Sequence, residues 1–145
     1  MPRNSASGEL LGEMYRNVAM SSENLVSSVP KITEKAMLTD VTAQLEGYAH
    51  LTQRTEQLMK ERSVTPQKPS KLEKLMAKGN IMKNTLFDSS DSRIADIIIT
   101  EAQTNADALE DSLTAHDKAD SSVRSLCREI VDFERIQADK MREFL

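Results

Sequence analysis

One stretch of the sequence, from Ser92 to His116, constrains the fold most, because its apolar residues recur with the period of an α-helix. At about 100° per residue, one face of this helix collects the apolar or small residues Ile94, Ile97, Ile98, Ala108, Leu109 and Ser112. Two polar residues, Glu101 and Asn105, lie one turn apart in the middle of that face. A carboxylate buried there must be paired, neutral or bound to a ligand, because an unpaired buried charge is costly.

The rest of the chain also favours an all-helical protein. It has only four Gly and four Pro in 145 residues, and no Val/Ile/Thr run alternates with a period of two. With three Phe, two Tyr and no Trp, the core must consist of Leu, Ile, Val, Met and Ala. A chain of this length is typical of one domain that buries a substantial core.

Composition and charge disfavour several classes of function. The net charge is −4, and no basic block is interleaved with aromatic residues, so we expect no nucleic-acid partner. No apolar run approaches the roughly 20 residues of a membrane helix, and Met1–Gly8 lacks the apolar region of a secretory signal. The single cysteine, Cys127, excludes a disulfide or a Cys-based zinc site within one chain. The sequence therefore predicts a cytoplasmic protein without a membrane partner.

Residues that start and end helices indicate a short N-terminal tail followed by one helical domain. Residues 1–7 are the predicted tail, and residues 8–145 the predicted helical bundle. Ser7 is the predicted N-cap of the first helix, because its hydroxyl can accept a hydrogen bond from an early backbone N–H. Pro30 ends that helix, since proline cannot continue the hydrogen-bond ladder.

The second and the last long helices have similar boundary signals. Thr33 is the predicted N-cap of the second helix, which extends to about Arg62, and Asp117 is the predicted N-cap of the last helix. Because the first link is short, the first two helices should be antiparallel neighbours. The inward face of the last helix is predicted to contain Val123, Leu126, Cys127, Ile130, Glu134, Gln137, Ala138, Met141 and Phe144.

Between the second and third long helices, the sequence predicts a linker and a shorter helix. The linker is rich in proline, and the capping-box pattern from Ser70 to Glu73 starts a helix over about residues 71–87. We expect this segment to return the chain along the bundle, so that the third long helix begins where the first two meet. The crossover helix also has an apolar face around Leu75, which is the candidate surface for a protein partner or a homo-oligomer.

A layer of polar side chains is predicted at one depth of this bundle. Crossover topology would bring the inward polar residues of all four helices to a similar level along the bundle. Its predicted members are Ser22, Gln44, Tyr48, Glu101, Asn105, Glu134 and Gln137.

Glu101 and Glu134 are the two ionisable members of the layer. No Lys or Arg falls on the inward faces near them, so both carboxylates cannot easily ionise. The pair could share a proton and bond to Gln44, Tyr48 and Ser22, bind a metal between the helices, or line a pocket that admits water or a ligand.

This layout resembles the ferritin-like superfamily. Those bundles hold two metals with a Glu from each of two helices and a Glu-x-x-His from each of the other two. Here the last helix carries Glu134-x-x-Gln137 and the third carries Glu101, whereas the first has Ser21 and Ser22 where a Glu would be required. The resemblance therefore implies a four-helix bundle whose metal motif is degenerate.

A second resemblance is to a group of small, uncharacterised bacterial helical proteins. It covers Met82–Leu86 and Ser90–Asp96, where those proteins tend to have His-x-x-Glu and this chain has Arg93-x-x-Asp96. This resemblance implies a ferritin-like bundle but no known activity.

Four other ionisable residues are assigned structural roles. Glu46 and His50 are four residues apart but lie opposite the apolar face, which predicts an exposed pair. Cys127 is predicted to be a core residue, because no His shares its face to activate it as a nucleophile. His116, at the end of the third long helix, is predicted to cap it.

The sequence thus predicts an all-α, ferritin-like four-helix bundle with an additional short crossover helix. The favoured function is non-catalytic, with a degenerate metal site and no cofactor. One alternative is an interaction or oligomerisation module. The other is a metal store or oxidoreductase that binds iron or manganese at Glu101 and Glu134.

Overall fold

Four long α-helices make up most of the computed structural model, which describes residues 5–70 and 88–145. The helices are α1 (Ser5–Ser28), α2 (Lys35–Glu61), α3 (Asp91–Ala115) and α4 (Ser121–Met141), with 3₁₀ turns at Val29–Lys31 and Arg142–Phe144. Within the described ranges there is no β-strand, which confirms the predicted all-helical class. None of the described helices combines the length and apolarity needed to cross a membrane.

Contacts between helix ends fix the directions of the four helices. Asp91, at the start of α3, accepts hydrogen bonds from Thr33 in the link between α1 and α2. At the other end of the bundle, Arg62 follows α2 and bonds to Asp120, just before α4. The end of α2 and the start of α3 therefore lie at opposite ends of the bundle, as the crossover topology requires. The predicted crossover helix over residues 71–87, with the apolar face around Leu75, lies outside the described residues.

Each helix packs against two antiparallel neighbours. α1 contacts α2 and α3, and α4 contacts α3 and α2. The antiparallel pairing of α1 with α3 is visible in two contacts, Glu9 with His116 and Asn17 with Asn105. The core between the helices includes the large, fully buried side chains Leu10, Leu11, Met14, Met37, Met59, Ile94, Ile130 and Met141.

The inward face of α4 is predicted correctly. All nine of its predicted inward residues are buried, including Glu134 and Cys127. On α3 the buried stripe is shifted, because it passes through Ala102 and Ala106. Ala108, which was expected inside, is exposed. Alanine contributes little to an apolar pattern, although its small side chain lets neighbouring helices approach closely.

The predicted N-caps of three helices are wrong. α1 already begins at Ser5, inside the predicted tail, and the Ser7 hydroxyl accepts a hydrogen bond from the Asp120 backbone N–H at 2.8 Å. The N-cap of α2 is Glu34 instead of Thr33. The N-cap of α4 is Asp120, three residues after the predicted Asp117.

The N-terminus of α2 obtains its cap from another helix. The Asp91 carboxylate accepts hydrogen bonds from the backbone N–H groups of Thr33 and Glu34 at 2.9 and 2.6 Å. Partial burial opposes ionisation of Asp91, but these bonds outweigh it and lower the pKa of the carboxyl group. Asp91 thus joins the first turn of α3 to the start of α2.

We expect Asp91→Ala to lower the free energy of unfolding by about 1–2 kcal/mol, because it leaves the start of α2 uncapped. Urea denaturation at neutral pH measures this loss. Asp96→Ala is the matched control, because Asp96 is an exposed carboxylate of the same helix and pairs with nearby Arg93. Its effect should stay within about 0.5 kcal/mol. Equal effects of the two substitutions would contradict the capping role.

His116 caps the C-terminal end of α3, as predicted. Its Nδ1 lies 2.8 Å from the Ser112 carbonyl oxygen, and its Nε2 lies 3.1 Å from the Glu9 carboxylate of α1. The Ser112 carbonyl and the carboxylates of Glu9 and Glu13 raise the pKa of His116, although burial opposes them. The imidazole ring therefore satisfies a helix end and joins α3 to α1.

Candidate functional site

A completely buried carboxyl group lies at the centre of the polar layer. Glu134 of α4 has no exposed surface. Its Oε2 accepts a hydrogen bond from the Tyr48 hydroxyl of α2 at 3.0 Å and another from the Ser21 hydroxyl of α1 at 3.2 Å. One carboxylate oxygen is therefore held by donors from two other helices.

The network continues from Ser21 to α3. The Asn105 side-chain amide donates to the Ser21 Oγ at 3.0 Å, and the Asn17 amide donates to the Asn105 backbone carbonyl at 3.1 Å. Because Ser21 accepts from Asn105 and donates to Glu134, it connects the two halves of the network. All four helices thus contribute at least one hydrogen-bonding group.

Buried polar atoms without a partner accompany this network. In the described part of the protein they include Glu134 Oε1, Asn17 Oδ1 and Gln44 Nε2. The first two are acceptors, whereas an amide nitrogen is a donor. Since an unsatisfied buried polar group costs about 1–3 kcal/mol, each of these atoms indicates a missing proton, water or ligand.

Burial dominates the electrostatics of Glu134. It raises the pKa of the carboxyl group from 4.5 to about 7, and the hydrogen bonds from Tyr48 and Ser21 only partly oppose it. The neutral acid is therefore well populated near physiological pH. A proton on Glu134 Oε1 would convert one of the two unpaired acceptors into a donor. The pKa of Tyr48 is raised far above its usual value by burial and by Glu134, so its hydroxyl remains a donor.

Glu101, the other predicted carboxylate, lies in different surroundings. It is only half-buried and lines a cavity between α1, α2 and α3. Desolvation raises its pKa, and a hydrogen bond with Asn24 of α1 opposes that shift. Sequence periodicity predicts matched depths for Glu101 and Glu134, whereas the structure buries Glu134 more completely.

The cavity beside Glu101 is small. Its volume is about 20 Å³, enough for one water-sized species. It is lined by Ser21, Asn24, Leu25, Gln44, Tyr48, Ile98, Glu101, Ala102 and Asn105. The cavity therefore adjoins the hydrogen-bond network through Ser21, Tyr48 and Asn105.

The remaining predicted members of the layer have mixed outcomes. Gln44 and Gln137 are buried as expected. Ser22 is only half-buried, and its neighbour Ser21 is buried in its place. The two serines point in directions that differ by about 100° around the helix. The predicted inward face of the first helix contained both, so it did not show which of the two is buried. Glu46 and His50 are exposed, as predicted.

Two asparagines of α1 were not predicted as part of the site. Asn17 and Asn24 are half-buried and lie at the edge of the apolar stripe, where polar residues are common. Asn17 follows Met14 by three residues and precedes Ser21 by four, so helical spacing from Ser21 could have indicated it. Asn24 could have been found by its spacing of three residues from Ser21.

The chemistry open to the described side chains is limited. No group of three or more His, Cys, Asp or Glu side chains in the described ranges is placed to hold a metal ion. The Cys127 thiol is buried, and desolvation raises its pKa to about 12, which keeps it protonated. The arrangement can hold and exchange a proton at Glu134. Iron or manganese at Glu101 and Glu134 stays a prediction.

Comparison with known proteins supplies no relative for this chain. No protein-family model matches it, and no curated protein or solved structure is significantly similar to it. Information about function therefore comes from the residues of this chain and their arrangement in the structure.

Proposed function

We propose that this chain is a non-catalytic bundle with a ferritin-like arrangement, in which a hydrogen-bonded carboxyl group takes the place of a metal centre. The observation that carries the proposal is the convergence of Tyr48 and Ser21 on one oxygen of fully buried Glu134. In this proposal the carboxyl group fixes how the helices are aligned along one another.

A shared acceptor is well suited to define helix alignment. Shifting one helix by a single residue moves a side chain by about 1.5 Å along the axis and about 100° around it. Such a shift would separate Glu134 from Tyr48 or Ser21 and leave polar groups unpaired in the core. Buried polar residues specify the pairing of helices in some other bundles for this reason.

The set of inward side chains also favours a degenerate metal site. Gln137 stands where a ferritin-like site would have His, and Ser21 stands where it would have Glu. Tyr48 and Ser21 hydrogen-bond to Glu134 Oε2, so this oxygen is already engaged. The competing function, a di-metal oxidoreductase or metal store, requires more inward carboxylate or imidazole ligands than this layer supplies.

We expect protein purified without chelator to contain far less than one iron or manganese per chain by elemental analysis. At about pH 5, where Glu134 is mostly protonated in the folded protein, Glu134→Gln should fold with nearly unchanged stability, because the amide oxygen can still accept from Tyr48 and Ser21. Glu134→Ala should lose roughly 2–4 kcal/mol, because it leaves a cavity and two unpaired buried donors. Near-stoichiometric metal that disappears in Glu134→Ala would instead establish the metal-dependent function.

A further inference from the structure

One of the residues that line the cavity beside Glu101 has a buried polar group without a partner. Gln44 is only 2% exposed, and its Nε2 has no hydrogen-bond partner although the side chain lines the cavity. A buried amide left unpaired is costly, so this position favours an occupant that the protein itself does not supply.

The charge of the cavity lining indicates the charge of that occupant. Among the described residues that line the cavity, Glu101 is the one carboxylate and none is Lys, Arg or His. Burial already disfavours the ionised form of Glu101. A cation beside the carboxylate would compensate for this desolvation, because an opposite charge within a few ångströms stabilises the ionised form.

The other polar groups of the lining are neutral side chains that contain oxygen. Ser21, Asn24, Tyr48 and Asn105 each have a hydroxyl or amide oxygen. The two ends of the Gln44 amide have almost the same shape, so rotation by 180° would place its carbonyl oxygen where Nε2 now lies unpaired. That rotation would convert the unsatisfied donor into an additional oxygen ligand.

We propose that this cavity binds one water-sized monovalent cation, K⁺ or NH₄⁺, between the Glu101 carboxylate and neutral side-chain oxygens, with the Gln44 carbonyl turned toward it. The volume of about 20 Å³ fits a single ion of this size. One carboxylate among neutral oxygens balances one positive charge. A divalent ion fits poorly, because one carboxylate leaves half of its charge uncompensated and Mg²⁺ usually retains several waters.

Thermal unfolding in a series of chloride salts tests the site. The wild-type protein is compared in KCl, NH₄Cl, NaCl and tetramethylammonium chloride at equal concentration and at a pH where Glu101 is ionised. Tetramethylammonium is too large for the cavity and controls for ionic strength. At a tenfold excess over Kd, K⁺ or NH₄⁺ should raise Tm by roughly 5 °C relative to tetramethylammonium. Comparing KCl with NH₄Cl shows which of the two ions binds more tightly.

Two variants assign the effect to the cavity. Glu101→Gln retains the shape of the side chain but removes its charge, and should abolish the ion-dependent rise in Tm. Glu46→Gln removes the charge of an exposed glutamate on α2 and should retain the full rise. Equal Tm values in all salts would overturn the proposal and leave water as the occupant. A rise that persists in Glu101→Gln would also overturn it, because the ion would then bind elsewhere.

The salt series is independent of the metal analysis of Glu134. A bundle without iron or manganese could still bind K⁺ at Glu101, and a di-metal protein could show no preference among these chlorides. Failure of one proposal is therefore distinguishable from failure of the other.

Discussion

Raising the pH from about 5 to about 8 is expected to lower the free energy of unfolding by about 2.5 kcal/mol through Glu134 alone. Its pKa is about 7 in the folded protein against 4.5 for an unperturbed carboxyl group. Between these values the folded state binds more protons than the unfolded state, so stability falls as the pH rises. The contribution is complete below about pH 4.5 and is lost as the pH passes through about 7.

Urea denaturation at several pH values measures this slope, and Glu134→Gln provides the control. The amide cannot ionise, so the variant should lack the Glu134 contribution and should exceed the wild type in stability at about pH 8. A smaller slope should remain, because the raised pKa values of His116 and Glu101 act in the same direction. Asp91 and Glu129 have lowered pKa values and titrate below this range. Equal slopes in the wild type and the variant would show that Glu134 does not ionise within it.

The burial of a network residue could be predicted from the sequence only where bulky apolar residues mark the inward face of its helix. On α4, bulky apolar residues on both sides of Glu134 fix the inward face, and the prediction that Glu134 is buried is correct. On α3, the centre of the buried stripe passes through Ala102 and Ala106, which contribute little to the pattern. The predicted stripe was therefore rotated, and Glu101 was expected to lie as deep as Glu134.

Contacts between residues distant in sequence could not be predicted in the same way. The N–H groups at the start of α2 bond to Asp91, which is 58 residues beyond Thr33, so local capping rules indicated the wrong residue. The Ser7 hydroxyl likewise bonds to the Asp120 backbone on another helix. Periodicity identifies the face on which a side chain lies, but its hydrogen-bond partner depends on the packing of the helices.

The position of Tyr48 depends on a glycine beside it, and this contact predicts an unusual effect of alanine. The Phe133 ring of α4 packs edge-on against Tyr48, with centroids 4.9 Å apart and an interplanar angle of 85°. A Cβ atom at Gly47 would lie 2.5 and 2.6 Å from Cε2 and Cζ of Phe133. The ring occupies the space that any larger residue at position 47 would require.

We expect Gly47→Ala to destabilise the protein by about 2 kcal/mol, although alanine normally favours a helix by roughly 0.5–1 kcal/mol over glycine. The added methyl group must displace Phe133, which costs its contact with Tyr48 and disturbs the hydroxyl that bonds to Glu134. Gly12→Ala is the matched control on α1, because a Cβ there meets no atom within 4 Å. It should stabilise the protein by about 0.5–1 kcal/mol, so the two substitutions should have opposite signs in urea denaturation.

A double-mutant cycle with Phe133→Leu tests the cause of this difference. If the ring is the obstacle, Gly47→Ala should cost much less when leucine occupies position 133, because the smaller side chain leaves room for the methyl group. The Gly12→Ala gain should be the same in both backgrounds, since Gly12 lies on a different helix. Stabilisation by Gly47→Ala in the wild-type background would mean that Phe133 moves aside at little cost, and that its contact with Tyr48 does not hold the tyrosine against Glu134.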